Sequence, residues 1–160
     1  FVDYEIGPIR TTRSCWENGR SAMDSGAGGM DLLLKSQHEN TWLPAVGEIK
    51  ACTETVGPTF ALMQALTYAA ELVTVSQWER LNRHSEHFRE ICTPTMSPRV
   101  DVFLIFEEPN QDTEDFQYAQ TIARGLLQEG NNRLQSVRRI IFLKCCIEND
   151  EIAHLENIPL

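Results

Sequence analysis

The stretch Gly28-Gly29-Met30-Asp31-Leu32-Leu33-Leu34-Lys35, followed after a polar turn by Pro44-Ala45-Val46-Gly47-Glu48-Ile49-Lys50, decides how this chain is read. Its apolar runs, 30–34 and 44–52, are strand candidates. The segment between them, Ser36-Gln37-His38-Glu39-Asn40-Thr41, is polar and turn-rich, so the whole predicts a β-hairpin. If the hairpin folds about Glu39 and Asn40, Asp31 lies opposite Glu48, and directly opposed residues point to one face. Lys50 is two residues beyond Glu48, so the strand period returns it to that face. Two carboxylates and an ammonium therefore converge from distant positions in the chain.

Two carboxylates so placed repel one another, and a hard divalent cation between them relieves the repulsion. Mg²⁺ takes one or two protein carboxylates and keeps its other positions for water and phosphate oxygens. A lysine beside it can orient a water or stabilise charge in the transition state. These parts suit phosphodiester hydrolysis. On a solvated sheet face the same residues would be an ordinary salt-bridge set of little energetic consequence. The neighbourhood argues otherwise: Leu32-Leu33-Leu34 has no polar alternation, which predicts a strand covered on both faces. Charges entering such a sheet need partners or a metal.

Asp31 followed by Glu48-Ile49-Lys50 resembles the PD-(D/E)XK nuclease signature, and Gly28-x-x-Asp31 resembles the element that precedes the aspartate in RecB-like and exonuclease-like branches. Gln64-Ala65-Leu66-Thr67-Tyr68, on the following helix, resembles the Gln-x-x-x-Tyr motif of the RecB-like branch. Met30 stands where the proline that names the motif would be. The resemblance implies a restriction-endonuclease-like α/β fold, a mixed sheet flanked by helices. It implies a metal-dependent nuclease acting on DNA before RNA. Asp31, Glu48 and the Ile49 carbonyl would hold Mg²⁺ or Mn²⁺. Lys50 would assist the attacking water, and Gln64 and Tyr68 would position substrate. Families of this fold often supply a further acid from the helix before the hairpin, and Glu17 is the candidate; capping its own helix is the simpler role. The alternative function is a catalytically inactive nuclease-like fold that serves as a protein-interaction module.

A chain of 160 residues with 42% apolar content suffices for one globular core, so a single nuclease-like domain spanning 1–160 is expected. Its first residue, Phe1, suggests a processed product or a domain cut from a longer protein, and a partner domain or homo-oligomer is compatible with that. No apolar run reaches membrane-spanning length, and no signal peptide is visible. The five cysteines fall at irregular spacings without a zinc pattern, which predicts reduced thiols in an intracellular protein of cytoplasm or nucleus. The net charge of −9 argues against general nucleic-acid affinity. Cations nevertheless gather at Arg133, Arg138, Arg139 and Lys144, and at Arg80, Arg83, Arg89 and Arg99 beside His84 and His87. Either zone could track a backbone or be a solvated face.

The remaining expectations follow the chain. Residues 1–13 lack periodicity, and Ser14-Cys15-Trp16-Glu17 has capping-box spacing. Pro58 opens a helix whose buried stripe is Phe60, Met63, Leu66 and Ala70, with Gln64, Tyr68 and Glu71 on another stripe. Ser76-x-x-Glu79 reads as the capping box of a second helix, packed by Trp78, Leu81 and Phe88. Residues 92–99 read as a loop and 100–106 as a buried strand. A helix follows from Asp112 or Thr113 to Glu129, then a last strand over 136–147 and a loosely held tail.

Overall fold

The computed structural model describes residues 3–6, 30–52, 55–128, 135–148 and 151–160. Strand β1 (Asp3–Ile6) lies at one edge of the sheet. Strands β2 (Met30–His38) and β3 (Thr41–Lys50) form the hairpin. Both are longer than the apolar runs suggested, and the turn shrinks to Glu39 and Asn40, with Glu39 in the left-handed region at φ 54°. The chain then forms α1 (Pro58–Leu72), α2 (Val75–His84), β4 (Val100–Glu107), α3 (Glu114–Leu127), β5 (Val137–Glu148) and β6 (Glu151–Ile158).

These strands make one six-stranded sheet in sequential order. Strands β1, β2 and β3 pair antiparallel in turn, β3, β4 and β5 run parallel, and β6 returns antiparallel. The fold is therefore α/β with a mixed sheet. The parallel steps have a simple cause: a helix carries the chain back between β3 and β4 and again between β4 and β5.

Helix α1 packs on β3, β4 and α3, and α3 packs on β5, so both cover one face of the sheet. On that face Val46, Val102, Leu104, Phe106, Ile140 and Phe142 join the main core. Phe106, Phe116 and Phe142 meet with ring centroids 5.4, 5.7 and 5.9 Å apart, which ties α3 to β4 and β5. The opposite face is buried too, at Leu43, Ala45, Asp101 and Ile105. Apolar strands without polar alternation follow from burial on both faces.

Several expectations are corrected. The buried face of α1 is Ala61, Leu62, Ala65, Tyr68, Ala69 and Leu72, while Phe60 and Met63 are 56% and 62% exposed. The alanines at 61, 65 and 69 recur every four residues and let the helix lie close to the sheet. Large side chains there would hold it off. Helix α2 starts after Thr74, so Ser76 lies inside it and caps nothing. Trp78, Leu81 and Phe88 are all buried, as anticipated. Thr113 caps α3, its hydroxyl accepting from the Phe116 N–H at 3.3 Å. The tail is not loose: it forms β6, Ile158 is buried, and Gln120 of α3 donates to the Pro159 carbonyl at 2.8 Å. The capping-box expectation at 14–17 falls outside the described residues. Among the described residues, no helix is long and apolar enough to cross a membrane.

Candidate active site at the carboxyl end of the parallel strands

The hairpin ladder pairs His38 with Thr41 at the turn and runs without a slip to Leu32 opposite Gly47. Extended by one step, the same register would set Asp31 against Glu48. Gly47 permits this close approach, because a Cβ there would lie 2.9 Å from the Leu32 Cβ and 3.2 Å from the Leu34 Cδ1. Asp31 is half-buried, and its Oδ2 accepts the Ile49 N–H at 2.7 Å. That bond fixes one carboxylate against the backbone of the Glu48-Ile49-Lys50 segment. Glu48 is 1% exposed, and the Lys50 Nζ lies 2.8 Å from its Oε1. The three side chains named from the sequence therefore occupy one neighbourhood at the end of two adjoining strands.

Lys50 also borders a cavity of about 360 Å³, lined among others by Cys52, Gly57, Phe106, Glu107 and Asn110. The cavity sits beyond the carboxyl ends of β3 and β4, beside the first residues of α1 and α3. In open α/β sheets ligands bind outside the carboxyl ends of the strands. The Cys52 N–H donates to a Glu107 carboxylate oxygen at 3.1 Å, which pins the chain just after Lys50. The Cys52 thiol is pushed up by its hydrogen bond to Glu107, then by burial. Glu108 adopts φ 43°, a left-handed conformation unusual for this residue type, at the cavity rim. The start of α1 is held by α3: Asp115 Oδ2 accepts from the Thr59 N–H at 3.3 Å, and the Thr59 hydroxyl donates to the Asp115 carbonyl at 3.2 Å.

The other predicted residues are placed less directly. Gln64 is half-buried on α1 and does not line this cavity. Tyr68, one turn later, is 5% exposed and belongs to the core, a bracing position rather than a surface for substrate. Glu17 lies outside the described residues.

The basic run ahead of Lys144 is also accounted for differently. Asp101, 0% exposed, accepts hydrogen bonds from Arg138 Nε at 2.8 Å, Arg139 Nη2 at 2.6 Å and Ser36 Oγ at 2.7 Å. A bulge between Val100 and Asp101 skips one residue of β5 in the pairing, so two consecutive arginines reach one carboxylate. Burial would push the Asp101 carboxyl up, but the hydrogen bonds from Arg138, Arg139 and Ser36 outweigh it and hold it below the usual range. These two arginines tie β5 to β4 through Asp101, to β3 through the Thr41 carbonyl and to β2 through the Gln37 carbonyl. Of the other zone, Arg83 pairs with Glu79 at 3.1 Å and Arg80 donates to Gln77 at 3.0 Å.

Sequence reasoning missed a second cluster. Cys146, His154 and Glu156 bring one ligating atom each within 4.8 Å of one another on β5 and β6. The available signal is His154-x-Glu156, the spacing of two residues on one strand face, which points to a site only once β6 is seen to be a strand. A comparison of the chain with protein-family models, curated proteins and solved structures returns no match.

Proposed function

We propose that the chain is a metal-dependent nuclease of PD-(D/E)XK type that hydrolyses phosphodiester bonds, DNA before RNA. The observation that carries this reading is the gathering of Asp31 on the Ile49 N–H and of Lys50 on Glu48, with Lys50 bordering a cavity at the carboxyl ends of β3 and β4. The donor set fits a hard divalent cation: two carboxylates and the Ile49 carbonyl are all oxygen ligands, and one lysine leaves the set a net negative charge. Asp31, Glu48 and the Ile49 carbonyl would hold Mg²⁺ or Mn²⁺. When bound, that ion would supply Lewis-acid charge to a phosphodiester as its negative charge grows.

The side chains divide the remaining work. The Ile49 N–H orients the Asp31 carboxylate before any ligand arrives, so little reorganisation is needed. Lys50 carries three N–H donors and no acceptor, so it cannot take a proton while charged. Its role is to donate to the incoming water and to a phosphate oxygen, with Glu48 holding its Nζ at 2.8 Å. Gln64, half-buried one helix away, can donate and accept at once and would align water or nucleotide.

The test is cleavage of single-stranded DNA, double-stranded DNA and RNA with Mg²⁺ or Mn²⁺. Asp31→Ala and Lys50→Ala should each lower the rate by about 100-fold or more, the usual size of one lost electrostatic donor or ligand. Variants that cut at the parent rate would remove the assignment. One observation favours the interaction-module reading: the net charge is −9, and Arg138 and Arg139 are engaged by Asp101. Calorimetry separates the two, because a scaffold binds no Mg²⁺ and a nuclease loses binding in Asp31→Ala.

A further inference from the structure

We propose that Cys146, His154 and Glu156 form a zinc site on the outer β5–β6 hairpin, distinct from the Asp31–Glu48 site. The register supplies the geometry. Cys146 is the direct partner of His154, and Glu156 is paired with Lys144, two residues before Cys146. All three ligand residues therefore share one face of two adjoining strands. Cys145 alternates to the other face, where it is buried, so the adjacent thiol is no competitor.

The side chains already converge. His154 Nε2 lies 3.2 Å from Glu156 Oε1, and the Cys146 thiol lies within 4.8 Å of both groups. Ligand atoms around tetrahedral zinc stand about 3.3 to 3.8 Å apart, given bonds of about 2.0 to 2.3 Å. One pair thus sits near its ligated distance, and the widest, within 4.8 Å, needs about 1 Å of side-chain closure. His154 and Glu156 are both 54% exposed, which leaves room for that movement.

The donor types select the metal. A thiolate, an imidazole and a carboxylate suit a borderline-soft ion such as Zn²⁺, whereas Mg²⁺ demands oxygen ligands. The Cys146 proton passes to solvent as the sulfur–zinc bond forms. Three protein ligands leave one position for water or an external group, the pattern of an open zinc site. Lys144 shares the face and brings the neighbouring positive charge. Strands β3 and β6 are three sheet steps apart, about 14 Å, so one ion cannot serve both sites.

The experiment is titration of the chelator-stripped full chain with Zn²⁺ alone, read by competition with a chromophoric chelator, and with Co²⁺, read by thiolate-to-metal absorption. The parent should bind one Zn²⁺ that is retained in Asp31→Ala. Cys146→Ser, His154→Ala and Glu156→Gln should each weaken binding by at least about tenfold, and the first should abolish the Co²⁺ thiolate band. The histidine and glutamate are exposed, so His154→Ala and Glu156→Gln report on the site even if Cys146→Ser folds poorly. Absence of Zn²⁺ binding by the parent overturns the proposal. So does binding unchanged in His154→Ala and Glu156→Gln, which would leave only the exposed hydrogen bond.

Discussion

Replacing Asp101 by asparagine keeps the shape of a fully buried side chain and removes its charge. The carboxylate collects Ser36 of β2 and both Arg138 and Arg139 of β5, and the same arginines donate to the Thr41 and Gln37 carbonyls at 3.3 Å. One residue thus links β2, β3, β4 and β5. Asparagine offers a single acceptor oxygen and turns an NH₂ group toward two guanidiniums. Breaking a buried ion pair on one side costs about 3 to 5 kcal/mol. The arginine side chains retain 13% and 25% exposure and can rehydrate in part, which favours the lower end, about 3 kcal/mol. For a chain of this size that lowers Tm by roughly 6 to 12 °C. The effect should depend on pH with a definite sign. The Asp101 carboxyl is held below its ordinary value, so its contribution is complete above about pH 5 and is lost as pH falls through the folded-state pKa. Thermal melts of parent and Asp101→Asn, followed by circular dichroism at pH 7 and in steps down to pH 3, read both quantities. A Tm within about 2 °C of the parent at pH 7 would refute the reasoning, as would a gap that widens on acidification.

Two further outcomes follow from the site. Gly47→Ala places a methyl 2.9 Å from the Leu32 Cβ, which is no flexible chain end, and should cost about 1 to 3 kcal/mol as β2 and β3 are forced apart; urea denaturation measures it, and an unchanged midpoint would show that the contact relaxes freely. Under the nuclease reading, Glu48→Gln should abolish the rise in Tm that millimolar Mg²⁺ or Mn²⁺ produces in the parent, because ligand binding to the folded state alone stabilises it; scanning calorimetry with and without the ion reads this, and a rise of equal size in the variant would take Glu48 out of the metal centre.

The hairpin was legible in the sequence because its information is local. Two apolar runs, a polar turn and a period of two determine the register, and the ladder from His38–Thr41 to Leu32–Gly47 is the one that folding about Glu39 and Asn40 produces. The convergence of Asp31, Glu48 and Lys50 followed from that arithmetic. The buried face of α1 differs from the Phe60-Met63-Leu66-Ala70 stripe because apolar residues recur at helical spacing on more than one face of this helix. The sheet selects close approach, so alanines lie beneath the helix while Phe60 and Met63 face out. Strand β6 is hard to read because its sequence, Glu151-Ile152-Ala153-His154-Leu155-Glu156-Asn157-Ile158, lacks strict alternation, and an edge strand with an exposed face carries little hydrophobic pattern.

What the chain alone determined is the α/β alternation and the hairpin register that brings Asp31 to the Glu48-Ile49-Lys50 segment, since periodicity and turn chemistry act over a few residues. What only the tertiary structure decided is the use of residues far apart in sequence: which arginines close on Asp101, which thiol faces His154, and where a cavity opens beside Lys50. Those pairings depend on strand order and on a one-residue bulge in β5 pairing, and neither leaves a trace in local sequence pattern.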